Sequence, residues 1–200
     1  MNRKLLLYRT PQMTKDINHR PIPESYWVKP GYLLAGEYPG HFNNELTRKR
    51  IDAFIEAGFD MFIDLTKPNE TLPYEKILLD EAKIYAAEVT HHRFPIEDFG
   101  LPTPAQMNLI LDTIEASLQA GHKIYLHCWG GIGRTGMTVG CYLVRYGMSG
   151  TDALYQLSTW WRGVPKSRYH PHSPETLEQM DFIRHWAEFD DQPPLEIDNI

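Results

Sequence analysis

Apolar positions along this chain alternate between short runs of strand length and faces with helical spacing. Leu33, Leu34 and Ala35, bounded by Gly31 and Gly36, read as a strand over 32–35. Over 47–57, Ile51, Phe54 and Ile55 fall on one helical face, and Gly58 stands where a helix stops. The run 59–65 has strand length and is followed by a turn at Lys67, Pro68 and Asn69. A helix over 74–87 turns Ile77, Leu78 and Ala82 inward, and a more polar strand follows over 88–94. Thr103 and Pro104 make a helix start, as N-cap and first helical residue. Met107, Ile110, Leu111, Ile114 and Leu118 then keep the spacing of a buried face up to Gly121. The strand 123–127 leads into a glycine loop and a helix through Val139, Tyr142, Leu143 and Tyr146, with further helices over 151–161 and 174–186.

Strands alternating with helices predict an α/β fold, a central mostly parallel sheet flanked by helices on both faces. Ligand sites in such folds lie beyond the carboxyl ends of the strands. The proline-broken residues 1–25 read as an N-terminal arm outside the sheet, 26–188 as the folded domain, and 189–200 as a flexible acidic tail. A chain of 200 residues suits one core. With 20 Lys+Arg against 26 Asp+Glu, the net charge of -6 argues against nucleic acid as a partner. No apolar run reaches the length of a membrane span. Two cysteines, Cys128 and Cys141, make no disulfide framework, so a reducing cytoplasm is the expected setting.

One stretch carries chemistry: His127, Cys128, Trp129, Gly130, Gly131, Ile132, Gly133, Arg134, Thr135, Gly136, between a strand and a helix. Its glycines let a tight loop turn backbone N–H groups inward, and the helix behind adds its positive end. Such a cradle suits a dianionic tetrahedral group, with Arg134 as a bidentate clamp. The same field favours a thiolate at Cys128, a nucleophile. Gly131, Gly133 and Gly136 also fit a dinucleotide fingerprint by letter, but that motif opens the first βαβ unit and this loop comes late. A module that only binds phosphate is the other alternative.

The Cys-x5-Arg-Thr spacing with its preceding histidine resembles the signature of cysteine-dependent protein tyrosine and dual-specificity phosphatases, over about 26–186. The resemblance implies phosphate monoester hydrolysis through a phosphocysteine, on a phosphorylated protein or small phosphate monoester. A phosphoinositide substrate is the alternative, weakened because no lysine lies between Cys128 and Arg134. No cofactor or metal is called for, and His91, His92, His170 and His172 show no metal-ligand motif. The leaving group needs an acid on a loop at the same sheet edge. Pro95-Ile96-Glu97-Asp98 looks like the family's Pro-Ile-x-Asp pattern, which assigns Asp98 over its neighbour Glu97. By the same resemblance Thr135 assists the departing sulfur, His127 orders the loop, and Gln179 is a candidate for placing the hydrolytic water, against a plain surface helix position. Thr135 as a helix N-cap is a compatible second role. Cys141 reads as buried and inert.

Overall fold

The structure, a computed structural model, describes residues 19–190. Its sheet has five strands: β1 (Ser25–Lys29), β2 (Leu33–Gly36), β3 (Met61–Asp64), β4 (Thr90–Arg93) and β5 (Ile124–His127). Their order is β1-β2-β5-β3-β4. All neighbours are parallel except β1, which pairs antiparallel with β2. The helices are α1 (Asn44–Glu56), α2 (Glu75–Ile84), α3 (Pro104–Gln119), α4 (Gly133–Arg145), α5 (Gly150–Trp161) and α6 (Leu177–Arg184). Each helix predicted from spacing is present.

Side chains alternate across a strand, so each strand feeds two cores. Leu33, Ala35, Ile63, Ile124 and Leu126 point toward α3 to α6. Leu34, Phe62 and Tyr125 point toward Ile51, Phe54 and Leu78 of α1 and α2. The parallel strands are buried on both faces, which is why their sequences run apolar rather than alternating. Edge strand β4 alternates exposed and half-buried positions, which explains its polar sequence. Local chemistry sets the helix starts. Asn43 caps α1, and the Thr103 hydroxyl accepts from the Gln106 N–H at 3.1 Å, with Pro104 first in the helix.

Most of the expected arm and tail lies outside the described residues. The sheet begins at Ser25, one residue before the expected start of the domain at 26, and Ile22 is buried against the second core. The readable sign was the Pro30-Gly31 turn: Gly31 has φ 81°, and Tyr32 N–H donates to the Lys29 carbonyl at 3.0 Å. At the other end, the described residues stay packed through Asp190. Phe189 packs on Phe182 and Trp186, and the Asp190 carboxylate holds buried Arg145 at 2.9 Å. Among the described residues no helix is long and apolar enough to cross a membrane.

Register fixes where the site lies. Gly36 pairs with His127, His127 with Asp64, and Asp64 with Arg93. Four strands therefore end at one level, and the loops after β2, β3, β4 and β5 meet beyond it.

Candidate active site

The loop after β5 has Cys128 at its base, 2% exposed. Its carbonyls are tied from outside. Trp129 O accepts from Tyr38 N–H at 2.9 Å, Gly130 O from Lys166 Nζ at 3.1 Å, and Ile132 O from Ser173 Oγ at 2.8 Å. Because a peptide is planar and trans, each outward carbonyl turns the next residue's N–H the other way, toward the cavity. Gly131 has φ 73°, and a Cβ there would lie 2.4 Å from the Gly36 carbonyl carbon, so only glycine fits. Among the described residues no side chain caps α4, so its first N–H groups are available to an anion. Thr135 is therefore not the cap. Its hydroxyl is buried and without a hydrogen-bond partner among the described residues.

Arg134 is 1% exposed and held as a fork. Nη1 and Nη2 donate to the two Glu70 oxygens at 2.7 and 2.6 Å, Nη1 also to Ile96 O at 3.1 Å, and Nη2 lies 2.9 Å from Asp98 Oδ1. Burial would raise the Glu70 carboxyl, but the hydrogen bonds from Arg134 and the Lys67 N–H, together with the Arg134 charge, hold it below its usual range. Sequence reasoning missed Glu70. It lies in the turn after β3, and only its position at the strands' carboxyl edge marked it.

Asp98 lines the cavity, whereas Glu97 turns away to pair with Lys67 at 2.5 Å. Their loop is tied at several points. Ile96 N–H donates to Leu65 O at 3.1 Å, Gln106 Nε2 to Pro95 O at 2.8 Å, and Gly100 N–H closes a turn on Glu97 O at 2.9 Å. Phe99 sits in that turn at φ 58°, a strained conformation for an aromatic residue. Gln179 is neither a surface residue nor part of the cavity lining. It is fully buried, with Oε1 accepting from the N–H groups of Glu175 and Thr176 at 3.1 and 3.3 Å, and Nε2 donating to Gly100 O at 3.3 Å.

His127 sits behind the loop, fully buried. Its Nε2 shares a 2.7 Å hydrogen bond with the Tyr74 hydroxyl, and Nδ1 lies 3.3 Å from Cys128 O and 3.9 Å from Asp64 Oδ1. Asp64 in turn holds Arg93 Nη2 at 2.9 Å and Thr66 Oγ1 at 2.6 Å. Burial would raise the Asp64 carboxyl. His127, with His91 and Thr66 beside it, outweighs burial and holds the group well below the carboxylate range. Burial pushes the His127 imidazole down to about 4, against the pull of Asp64.

A pH dependence follows. An unfolded histidine titrates near ~6.5. Between there and about 4 the unfolded chain binds a proton that folded His127 refuses, so stability falls as pH drops through this window. The full loss is ~3 kcal/mol. Asp64 acts lower down: its contribution is lost only below the unfolded carboxyl value of ~3.9. Urea midpoints at pH 7 and 4.5 should converge in His127→Asn relative to the parent chain. Equal pH dependence in both would refute the assignment.

The cavity over these groups has a volume of about 610 Å³. Besides Cys128, Asp98 and Arg134 it is lined by Glu37, Arg50, Lys166, His170 and Glu175, with Trp129 62% exposed at the rim. Cys141 is a buried free thiol on α4, and burial raises it well above the usual thiol range.

A cysteine at the floor of an N–H-lined loop, an arginine fork six residues on, and a carboxylate from the neighbouring loop define the cysteine-phosphatase class. Comparison with known proteins agrees. The family model described as "Polymorphic toxin system, DSP-PTPase phosphatase" matches residues 41–148. The chain belongs to the cysteine-dependent tyrosine and dual-specificity phosphatase family. It is 31% identical over 132 residues to protein tyrosine phosphatase domain-containing protein 1 of Mus musculus, covering 60% of this chain and 17% of that one. The Danio rerio protein of the same name is 30% identical over 182 residues, covering 82% and 23%. The chain thus spans about a fifth of the length of these curated relatives. The crystal structure of Tk-PTP in the active form superposes with a TM-score of 0.57 at 29% identity, covering 83% of this chain and 97% of that one.

Proposed function

We propose that this chain hydrolyses phosphate monoesters through a phosphocysteine intermediate, acting on phosphorylated tyrosine, or on serine and threonine as well, in proteins. One observation carries the reading: a single cavity holds Cys128, the buried Arg134 fork, and Asp98 at 2.9 Å from that fork. The Cys128 sulfur attacks phosphorus, and the ester oxygen leaves with the Asp98 proton. Arg134 Nη2 is shared by Glu70 and Asp98 in the resting site. An arriving phosphate takes the place of Asp98 on Nη2; released from the ion pair, Asp98 takes up a proton from the monoanionic ester or from solvent and gives it to the leaving oxygen, while Glu70 keeps the guanidinium plane fixed. Water then cleaves the phosphocysteine, with Asp98 as base. The unpartnered Thr135 hydroxyl is available to the departing sulfur. His127 orders the loop through the Cys128 carbonyl. Gln179 holds the acid loop through Gly100, its amide being engaged by the backbone of Glu175 and Gly100.

The charge around the cavity supports a substrate with a single phosphate. Arg50 and Lys166 both already bind Glu37, at 3.1 and 2.7 Å, and Lys166 also donates to Gly130 O. A polyphosphorylated headgroup would have to compete for these cations. A cytoplasmic location keeps Cys128 a free thiol and fits this chemistry.

Hydrolysis of aryl phosphates in the presence of chelator tests the reading. With a poorly departing alcohol, Asp98→Ala should lose about 10²–10³-fold in kcat, and far less with an activated phenol. Equal losses for both substrates would remove Asp98 from acid catalysis.

A further inference from the structure

The cavity has a wall contributed from far along the chain. Ser173 is buried, its hydroxyl on Ile132 O at 2.8 Å, and a Cβ on Gly136 would fall 2.3 Å from that hydroxyl oxygen. Gln179 pins the backbone N–H groups of Glu175 and Thr176 and packs on Gly133, where a Cβ would lie 3.0 Å from its Oε1. The same absent Cβ would lie 3.2 Å from Glu175 Oε2. Segment 173–179 is therefore stitched to the start of α4, with the Glu175 carboxylate against the phosphate loop, in the same cavity as Cys128 and Asp98. Burial, together with the Asp98 charge, holds the Glu175 carboxyl above its usual range, so the two acids feel one another across the cavity. The steps from substrate to phosphocysteine do not use Glu175.

The second half-reaction does need another group. A water held by one acceptor can rotate about that hydrogen bond. Two acceptors take both its hydrogens and fix the lone pair that must reach phosphorus. We propose that Glu175 is a further catalytic residue, orienting the water that hydrolyses the phosphocysteine. The assignment rests on the hydrolase reading above. The water oxygen bonds to phosphorus while the P–S bond breaks, and its electron pair returns to the Cys128 sulfur. One water proton passes to Asp98, which lost its own in the first half. The other hydrogen, held by Glu175 during attack, stays on the released phosphate.

Single-turnover rapid quench with a ³²P-labelled aryl phosphate and excess enzyme reads formation and decay of the phosphoenzyme separately. Glu175→Ala should form the intermediate at the parent rate and lose it about 10²-fold more slowly. Glu175→Gln, which keeps an acceptor oxygen, should decay at close to the parent rate. Unchanged decay in the alanine variant overturns the proposal. So does formation slowing in step with decay, the mark of a structural role, or a glutamine variant as slow as alanine. A parent chain that forms no phosphoenzyme would sink the hydrolase reading and this assignment together, whereas normal decay in the alanine variant sinks only the role of Glu175.

Discussion

Replacing the Cys128 sulfur with oxygen should remove turnover by at least about 10⁴-fold and leave binding of a phosphate analogue in place. The two outcomes separate because two parts of the molecule produce them. The nucleophile is one side-chain atom, and a serine hydroxyl there stays protonated and attacks poorly. The cradle is backbone, held by Tyr38, Lys166 and Ser173 on three loop carbonyls. Calorimetric titration with vanadate or phosphate, beside an aryl phosphate assay, checks both halves in Cys128→Ser. Near-normal turnover would put the nucleophile elsewhere. Loss of binding along with turnover would show that the loop depends on the sulfur.

Arg134→Ala should do more damage than a surface arginine could, and in two measurements at once. The guanidinium is 1% exposed and stands between Glu70 and Asp98. Without it the two carboxylates face one another with no cation between them. Breaking a fully buried pair costs about 3–5 kcal/mol. Here the carboxylates keep some solvent, with side chains 19% and 41% exposed, so we expect no more than about 3 kcal/mol. Catalysis should fall by about 10³-fold or more, in KM as well as kcat, because the fork meets both bound phosphate and the transferring group. Arg134→Lys should recover little, since a point charge cannot bridge both Glu70 oxygens and phosphate. Thermal unfolding with steady-state kinetics on the two variants decides the matter. A lysine variant with parental kinetics would show that charge alone suffices.

What sequence could reveal here depended on distance along the chain. The sheet was legible because burial on both faces forces apolar runs such as Met61–Asp64 and Ile124–His127. The α3 start was legible because Thr103 and Pro104 act on their own helix. The Cys128 loop and Arg134 could be singled out for the same reason, with the cysteine, the glycines and the arginine all within ten residues. Strand β1 was missed because its five residues follow two prolines and depend on pairing with β2. Glu70, 64 positions from Arg134, carries no local signature. Gln179 illustrates the same limit. Its position in a capping box is local and readable, but its burial against Gly133 and Gly100 depends on how distant segments meet.

All thirteen residues of α4, the helix behind the phosphate loop, are buried. Its covering comes partly from α5 and α6, and Arg145 at its end is held by Asp190. On a translating ribosome Cys128 therefore emerges well before the helices that cover its scaffold. Until the chain is made to about residue 190, Cys128 rides on an apolar helix with much of its cover missing and Glu175 not yet in place. Competence should then arrive abruptly, once residue 190 is in place. A chain stopped before about residue 190 should therefore be inert and not a weak enzyme.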